Sequence, residues 1–218
     1  MKLVVLGANG RTGGLVLQAA LDRGMDVTAV VRSADKSPAL RHERLNVRVG
    51  DPCDPAFLKQ VLRGQDAVIS ALGGRRPTKN ATSVYYRSAD ALVDAAWETG
   101  LKRVLVTSTA LLFREQTVIG KLLRRLVPNT VHSASRMEEI LNSSALSWTS
   151  VRPGFLNAAT DASYRAQKDG LPVTGTSVSR RALARVQRES QENPGTGRGA
   201  GGGSQAGGGS LPRGGGLG

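Results

Sequence analysis

The chain has 218 residues, enough for one domain with a full hydrophobic core. Its 30 Lys and Arg residues against 17 Asp and Glu give a formal charge of +13, but the basic residues are scattered without interleaved aromatic residues, which argues against a specific nucleic-acid partner. The single cysteine, Cys53, excludes a disulfide framework, and no metal site is expected. Apolar runs are shorter than the roughly 18 residues of a membrane span, and residues 1–3 lead directly into a strand, so we expect a cytoplasmic protein without a membrane segment.

The hydrophobic pattern predicts strands that alternate with helices along most of the chain. The predicted strands are residues 3–7, 26–31, 45–49, 67–72, 103–107 and 148–151, and the predicted helices are residues 12–24, 55–62, 82–99 and 137–143. The strands are continuous apolar runs, which is typical of a parallel sheet buried on both faces. This order predicts a doubly wound parallel α/β sheet in one domain over residues 1–180, with an α+β domain as the alternative.

Residues 181–218 have a different composition. From residue 195 onward, 13 of 24 residues are glycine and almost none is apolar. Such a segment cannot bury a core, so we predict a disordered tail. A natural Gly/Arg-rich tail and the product of a shifted reading frame in a GC-rich gene both fit this composition. The sequence does not indicate an oligomeric state.

A glycine-rich turn lies between the first predicted strand and the first predicted helix. Gly7 permits a tight turn, Gly10 lets a pyrophosphate approach the backbone, and Gly13 lets the helix pack closely on the sheet. The helix N-terminus offers free N–H groups and a partial positive charge to phosphates. The same predicted dinucleotide-binding loop also contains Asn9, Arg11 and Thr12.

The end of the second strand indicates which dinucleotide binds. A site for NAD usually has an acidic residue there, which holds the ribose 2′-hydroxyl. This chain has Arg32 and Ser33 instead, and a guanidinium with a neighbouring hydroxyl suits a 2′-phosphate. Asp35, two residues later, is the feature that favours NAD. We therefore predict NADP(H) in preference to NAD(H).

Two further strand ends belong to the same predicted crevice. Asp51 follows the third strand, where its carboxylate is placed either to accept a hydrogen bond from the adenine amine or to cap the next helix. The small residues after the fourth strand would let the backbone pass beside the cofactor ribose and pyrophosphate. These residues are Ala71, Leu72 and Gly73.

Taken together, the segments LGANGRTGG, AVVRS, AVISALGG, VLVTSTALL and SVRPGFL resemble those of the atypical short-chain dehydrogenase/reductases. Within that superfamily, the chain is most similar to the NAD(P)H-binding, NmrA-like proteins of the biliverdin reductase B (flavin reductase)-like group. The resemblance covers about residues 1–180. It implies a Rossmann fold, NADPH binding and, for many members, reduction of a flavin, a quinone or a tetrapyrrole. Other members are redox-sensing regulators.

The resemblance also implies roles for residues near the nicotinamide. Ser108 matches the family's active-site serine and Thr109 is its neighbour, so either hydroxyl could bind the substrate or the carboxamide. The alternative is that these hydroxyls only satisfy the end of the sheet. Pro153 and Gly154 would redirect the chain over the nicotinamide, where Leu156 could form an apolar wall. Arg136 could contact the nicotinamide ribose.

The chain lacks the Tyr-x-x-x-Lys pair that standard dehydrogenases carry on the helix after the fifth strand. That region contains His132 and Arg136 but no tyrosine, and the pattern from Tyr164 to Lys168 comes after the sixth strand. The missing pair argues against alcohol–ketone chemistry and favours a small-molecule acceptor of the flavin type, which solvent can protonate. We therefore predict an NADPH-dependent reductase of a planar acceptor. A non-catalytic NAD(P)H-sensing regulator is the alternative, and RNA binding by the Arg/Gly tail is a third possibility.

Overall fold

A computed structural model describes residues 1–74, 76–113, 118–153, 155–158, 165–168, 177–181, 184 and 199–204. Strands and helices alternate through residue 153, as predicted. The strands are β1 (Lys2–Leu6), β2 (Asp26–Val31), β3 (Leu45–Val49), β4 (Ala67–Ser70), β5 (Arg103–Thr107), β6 (Ser147–Pro153), β7 (Phe155–Asn157), β8 (Arg165–Lys168), β9 (Ser177–Ser179) and β10 (Gly199–Ser204). The helices are α1 (Arg11–Leu21), α2 (Pro55–Leu62), α3 (Lys79–Thr82), α4 (Val84–Thr99), α5 (Val118–Leu126) and α6 (Pro128–Asn142).

The first six strands form a parallel sheet in the order β3-β2-β1-β4-β5-β6. The register pairs Leu3 with Val27 on one side of β1 and with Ala67 on the other. The chain therefore reverses its winding direction between β1 and β4. In such sheets, ligands bind in the crevice at the carboxyl ends of the strands where the order reverses. The predicted doubly wound Rossmann fold is confirmed.

Apolar residues on the two faces of the sheet form separate cores. On one face, α2, α4 and α6 cover β-strand residues such as Val4 and Val104, which are fully buried. On the other face, Val16 and Leu17 of α1 pack against Val5 and neighbouring strand residues. Because both faces are buried, the strands carry continuous apolar runs.

Part of the predicted tail, Gly199–Ser204, forms strand β10. Strand β10 lies parallel to β6, with Gly199 opposite Thr149, and pairs antiparallel with β8 on its other side. The free edge of β6 offers unpaired N–H and C=O groups, and glycine has no side chain to obstruct pairing with them. Residues 182–183, 185–198 and 205–218 lie outside the described part of the chain.

Several element boundaries differ from the sequence prediction. Helix α5 is not predicted, α6 begins nine residues before the predicted start at residue 137, and β4 ends at Ser70 rather than at residue 72. Helix α4 ends at Thr99 as predicted, with Gly100 at a φ angle of +72° after it, whereas α1 ends at Leu21, three residues before the predicted end at residue 24. Within the described residues, the helices are too short or too polar to cross a membrane.

Candidate functional site

A cavity of about 860 Å³ lies at the carboxyl ends of β1, β2, β4 and β5. It brings together residues that are distant in the sequence but were predicted to share one crevice. The predicted site residues that line it are Gly7, Asn9, Gly10, Arg11, Thr12, Arg32, Ala71, Leu72, Gly73 and Ser108. Leu156, predicted as an apolar wall, lines it as well. The other predicted residues that the structure describes are not among the lining residues: Gly13, Ser33, Asp51, Thr109, Arg136 and Pro153.

The glycine turn has the geometry that a dinucleotide loop needs. Gly7 has a φ angle of +79°, and its carbonyl accepts a hydrogen bond of 2.9 Å from the backbone N–H of Gly10. A Cβ atom on Gly13 would lie 2.1 Å from that same carbonyl oxygen. Gly10 caps α1 without a side-chain hydrogen bond, and the first turn holds no acidic residue. The helix N-terminus therefore presents its positive end to the cavity.

The cavity is cationic. Its charged lining residues within the described chain are Arg11, Arg32 and Arg180, and no carboxylate is among them. Arg180 is held at the far end, where its guanidinium donates hydrogen bonds to the carbonyls of Asn157 (2.9 Å) and Leu156 (3.3 Å). Positive charges at both ends, in a cleft without a described counter-ion, favour an anionic ligand.

Of the residues that follow β2, Arg32 lines the cavity, whereas Ser33 and Asp35 interact with each other. The Ser33 hydroxyl donates a hydrogen bond to the carboxylate of Asp35. That bond, with the nearby charge of Lys36, holds the pKa of Asp35 below its ordinary value although the side chain is fully exposed. The acidic side chain that favoured NAD is therefore engaged with Ser33, outside the described cavity lining.

Asp51 does not cap the helix that follows it. Its carboxylate accepts the backbone N–H of Cys53 at 2.9 Å, and it is Asp54 that caps α2 by accepting the N–H of Ala56. The helix-cap interpretation of Asp51 is thus wrong. Its neighbour Pro52 lines the cavity, so Asp51 is adjacent in sequence to the lining without being part of it.

Ser108 and Thr109 have different local roles. The backbone N–H of Ser108 donates to Val151 of β6 at 2.8 Å, which fixes the residue between two strands. Its side chain is buried and lines the cavity, and its Oγ finds no hydrogen-bond partner within the described structure. The Thr109 hydroxyl instead accepts the N–H of Leu111 at 3.3 Å and caps a short 3-10 turn, Ala110–Leu112. Of the two hydroxyls, that of Ser108 is therefore the one without a hydrogen-bond partner in the described structure.

A buried ion pair supports the end of β6. The carboxylate of Glu138, on α6, accepts hydrogen bonds from the Ser150 hydroxyl at 2.7 Å and from the Arg152 guanidinium through both Nε and Nη2. The same guanidinium lies 4.9 Å from the centre of the Phe113 ring. Pro153 is the buried last residue of β6, and Gly154 lies outside the described residues. Sequence reasoning missed this cluster, although a charged residue at the end of a buried strand signals a buried partner.

Helix α6 contributes less to the cavity than predicted, and α4 contributes more. Arg136 lies 4.5 Å from the centre of the Tyr86 ring, and His132 is exposed; neither is among the described lining residues. Tyr164 lies outside the described part of the chain. Tyr85, on the first turn of α4, lines the cavity. Helical spacing alone would have assigned this tyrosine to the core.

Comparison with known proteins agrees with this geometry. Residues 7–194 match the family described as NAD(P)H-binding. Photosystem II assembly factor Ycf39 of Guillardia theta is 32% identical over 151 residues, 68% of this chain but 45% of that protein, so the chain spans less than half of that relative.

Two solved structures show the same fold. A wide-type short-chain dehydrogenase/reductase of Veillonella parvula in complex with NADP has a TM-score of 0.81 at 21% identity, over 94% of this chain and 95% of that one. ChuY, an anaerobillin reductase of Escherichia coli O157:H7, has a TM-score of 0.74 at 24% identity, over 94% and 97% of the two chains.

The fold and the site define a Rossmann protein with a cationic crevice suited to a dinucleotide. More specifically, the chain belongs to the family described as NAD(P)H-binding, whose model matches residues 7–194. The residues present fit a nicotinamide dinucleotide: the loop has no room for a side chain at Gly13, two arginines face the phosphate end, and the Ser108 hydroxyl is buried without a partner at the opposite end.

Proposed function

We propose that this protein is an NADPH-dependent reductase that transfers a hydride to a planar acceptor such as a flavin, a quinone or a tetrapyrrole. The observation that carries the proposal is the layout of the cavity, which has a glycine loop and two arginines at one end and the partnerless Ser108 hydroxyl at the other. The structural similarity to ChuY, an anaerobillin reductase, and to the Veillonella protein, which binds NADP, supports the proposal.

The preference for NADPH rests on Arg32. Its guanidinium is the charged group that follows β2 in the described lining, and a planar fork of donors matches a 2′-phosphate. The position of Asp35 supports the same choice, because the competing carboxylate is hydrogen-bonded to Ser33 and is not among the described lining residues. Ser33 and Asp51 stand beside this position and complete the adenosine end in our proposal.

The protein contributes binding and orientation to the reaction. When bound, the dinucleotide supplies the hydride. The N-terminus of α1 holds the pyrophosphate, with Asn9, Arg11 and Thr12 around it. The small residues after β4 leave room for the ribose. Ser108 orients the carboxamide or the acceptor, and the partly buried Leu156 adds apolar surface beside it. Correct placement of the two reactants supplies most of the rate in hydride transfer.

Turnover tests the proposal directly. Purified protein should oxidise NADPH, seen as loss of nicotinamide absorbance, when FMN, menadione or biliverdin is added. The Ser108→Ala variant should reduce kcat at least tenfold, while Ser143→Ala, a change at the exposed end of α6, should not. If none of these acceptors, nor a wider set of quinones and flavins, is reduced by protein that binds NADPH, the protein is not a reductase of this class.

A cofactor-sensing regulator is the second candidate, and one observation favours it. The α6 positions where standard dehydrogenases hold their Tyr-Lys pair carry the exposed His132 and the stacked Arg136, so within the described cavity lining they supply no catalytic group. A regulator would bind NADPH tightly without turnover, and its protease sensitivity or partner binding would differ between NADPH and NADP.

A further inference from the structure

We propose that Tyr85 of α4 is the proton donor to the acceptor, in place of the tyrosine that α6 lacks. This role rests on the reductase function proposed above and adds the missing acid to it. Tyr85 lines the cavity from α4 instead of α6, so a search for the Tyr-x-x-x-Lys spacing does not find it.

The Tyr85 hydroxyl is placed between the cofactor loop and the serine. Tyr85, Gly73 and Ser108 line the same cavity. A Cβ atom on Gly73 would lie 3.3 Å from the Tyr85 Oη, closer than most Cβ contacts in proteins. Because β4 stands between β1 and β5 in the sheet, this puts the phenol between the glycine turn and Ser108.

The phenol is held firmly but its hydroxyl is free. The ring packs against the core formed by α2, α4 and α6, and the residue is partly buried. Within the described structure, no hydrogen bond from the Tyr85 Oη is found. Because Tyr85 lines the cavity, an atom of a bound ligand can be the hydrogen-bond partner of its hydroxyl.

Tyr85 is also the suitable acid among the described lining residues. The other titratable side chains there are Arg11, Arg32 and Arg180, which keep their protons at any physiological pH. Serine and threonine hydroxyls are far weaker acids than a phenol. A proton delivered by a side chain of this lining therefore comes from Tyr85.

The surroundings suit a donor that starts neutral. Burial raises the pKa of Tyr85, which keeps the phenol protonated through the neutral range. Helix α6, packed against α4, brings Arg136 to the neighbouring Tyr86 rather than to Tyr85.

The proposed step is balanced as follows. A conjugated carbonyl acceptor takes up the hydride at one end of its π system, and the displaced electron pair moves to the carbonyl oxygen at the other end. That oxygen takes the phenolic proton of Tyr85. The acceptor gains two electrons and two hydrogens, the dinucleotide is oxidised by the loss of a hydride, and water returns a proton to the phenolate.

The test compares Tyr85→Phe with Tyr86→Phe, which removes a hydroxyl from the adjacent residue and keeps its ring. With menadione as acceptor, Tyr85→Phe should lower kcat by about 100-fold and abolish the solvent deuterium isotope effect on it. The affinity for NADPH, measured by nucleotide fluorescence, should stay within about twofold of the unchanged protein. Tyr86→Phe should change none of these quantities.

A second readout does not need turnover. Infrared difference spectra of menadione bound to the NADP-loaded protein should show a carbonyl stretch shifted to lower frequency, and Tyr85→Phe should remove that shift. If the unchanged protein turns over and Tyr85→Phe keeps its kcat, its isotope effect and the shift, the assignment of Tyr85 is wrong. If the unchanged protein shows the shift but no turnover, the reductase function fails and the proton-donor role fails with it. A loss confined to NADPH affinity would overturn the role and make Tyr85 a cofactor ligand.

Discussion

The Cβ position of Gly13 lies 2.1 Å from the carbonyl oxygen of Gly7, so α1 and the end of β1 approach more closely than any side chain permits. We expect Gly13→Ala to push the helix away from the turn, to lower the free energy of unfolding by about 1–3 kcal/mol, and to weaken dinucleotide binding at least tenfold. Urea denaturation and NADPH titration measure the two effects.

Gly14 provides the matched control for that variant. A Cβ on Gly14 would lie 3.5 Å from the carbonyl oxygen of Ala8, an ordinary contact. Alanine is the better helix former, so Gly14→Ala should raise the free energy of unfolding by about 0.5–1 kcal/mol. Equal effects of the two substitutions would contradict the close helix–turn contact.

Two buried serines, Ser108 directly after β5 and Ser150 in the middle of β6, should respond differently to loss of their hydroxyls. Ser108 Oγ has no partner in the described structure, so Ser108→Ala should leave the free energy of unfolding unchanged within about 0.5 kcal/mol. Ser150 donates to the Glu138 carboxylate at 2.7 Å, and Ser150→Ala should cost about 1.5–3 kcal/mol. Chemical denaturation of both variants checks this. A large stability loss in Ser108→Ala would mean that its hydroxyl serves the fold instead of a ligand.

The Glu138–Arg152 ion pair should matter far more to stability than an exposed pair. Removing Glu138 leaves the largely buried Arg152 guanidinium uncompensated, and we expect Glu138→Ala to lower the free energy of unfolding by about 3–5 kcal/mol. Glu98 pairs with Lys59 on the surface, and Glu98→Ala should cost less than about 1 kcal/mol. Similar losses in the two variants, measured by urea denaturation, would contradict this ranking.

The Cys53 thiol should react slowly with disulfide reagents at neutral pH. Burial, and secondly the charge of Asp51, raises its pKa to about 11, and only the thiolate is reactive. The reaction rate with a disulfide reagent should therefore keep rising through pH 10 in the folded protein. Unfolding returns the thiol to a pKa near ~8.5, so at pH 8 it should accelerate the reaction at least tenfold. Asp51→Asn should lower the pKa, while Asp54→Asn should leave it nearly unchanged. A rate that already levels off near pH 9 would refute the raised pKa.

Most of the parallel sheet could be predicted because its signals are local. Continuous apolar strands, helix-stopping glycines and the position of Gly7, Gly10 and Gly13 each report on a few neighbouring residues. Helix α5 was not predicted. Its apolar residues Val118, Leu122 and Leu126 are exposed in the structure, so this helix does not have the buried apolar face by which the other helices were recognised. Strand β10 was missed because glycine carries no strand signal and depends on the free edge of β6.

The candidate site was predictable only where the fold brings strand ends together. The residues after β1, β2, β4 and β5 meet at one edge of the sheet, as the topology requires. Which hydroxyl is free was not predictable, because it depends on Thr109 capping its own turn while Ser108 does not. The position of Tyr85 depends on how α4 packs against the sheet and α6, which is a tertiary contact without a sequence signal. The same holds for the Glu138–Arg152 pair.

The most direct test of this account is a fluorescence titration of the purified full-length protein with NADPH and, separately, with NADH. We expect tight binding of NADPH and at least tenfold weaker binding of NADH, with the difference lost in Arg32→Ala because its guanidinium holds the 2′-phosphate. Arg124→Ala, a change in the basic last turn of α5, should preserve it. Equal affinities for the two nucleotides would contradict the 2′-phosphate assignment, and no binding of either would contradict the account as a whole.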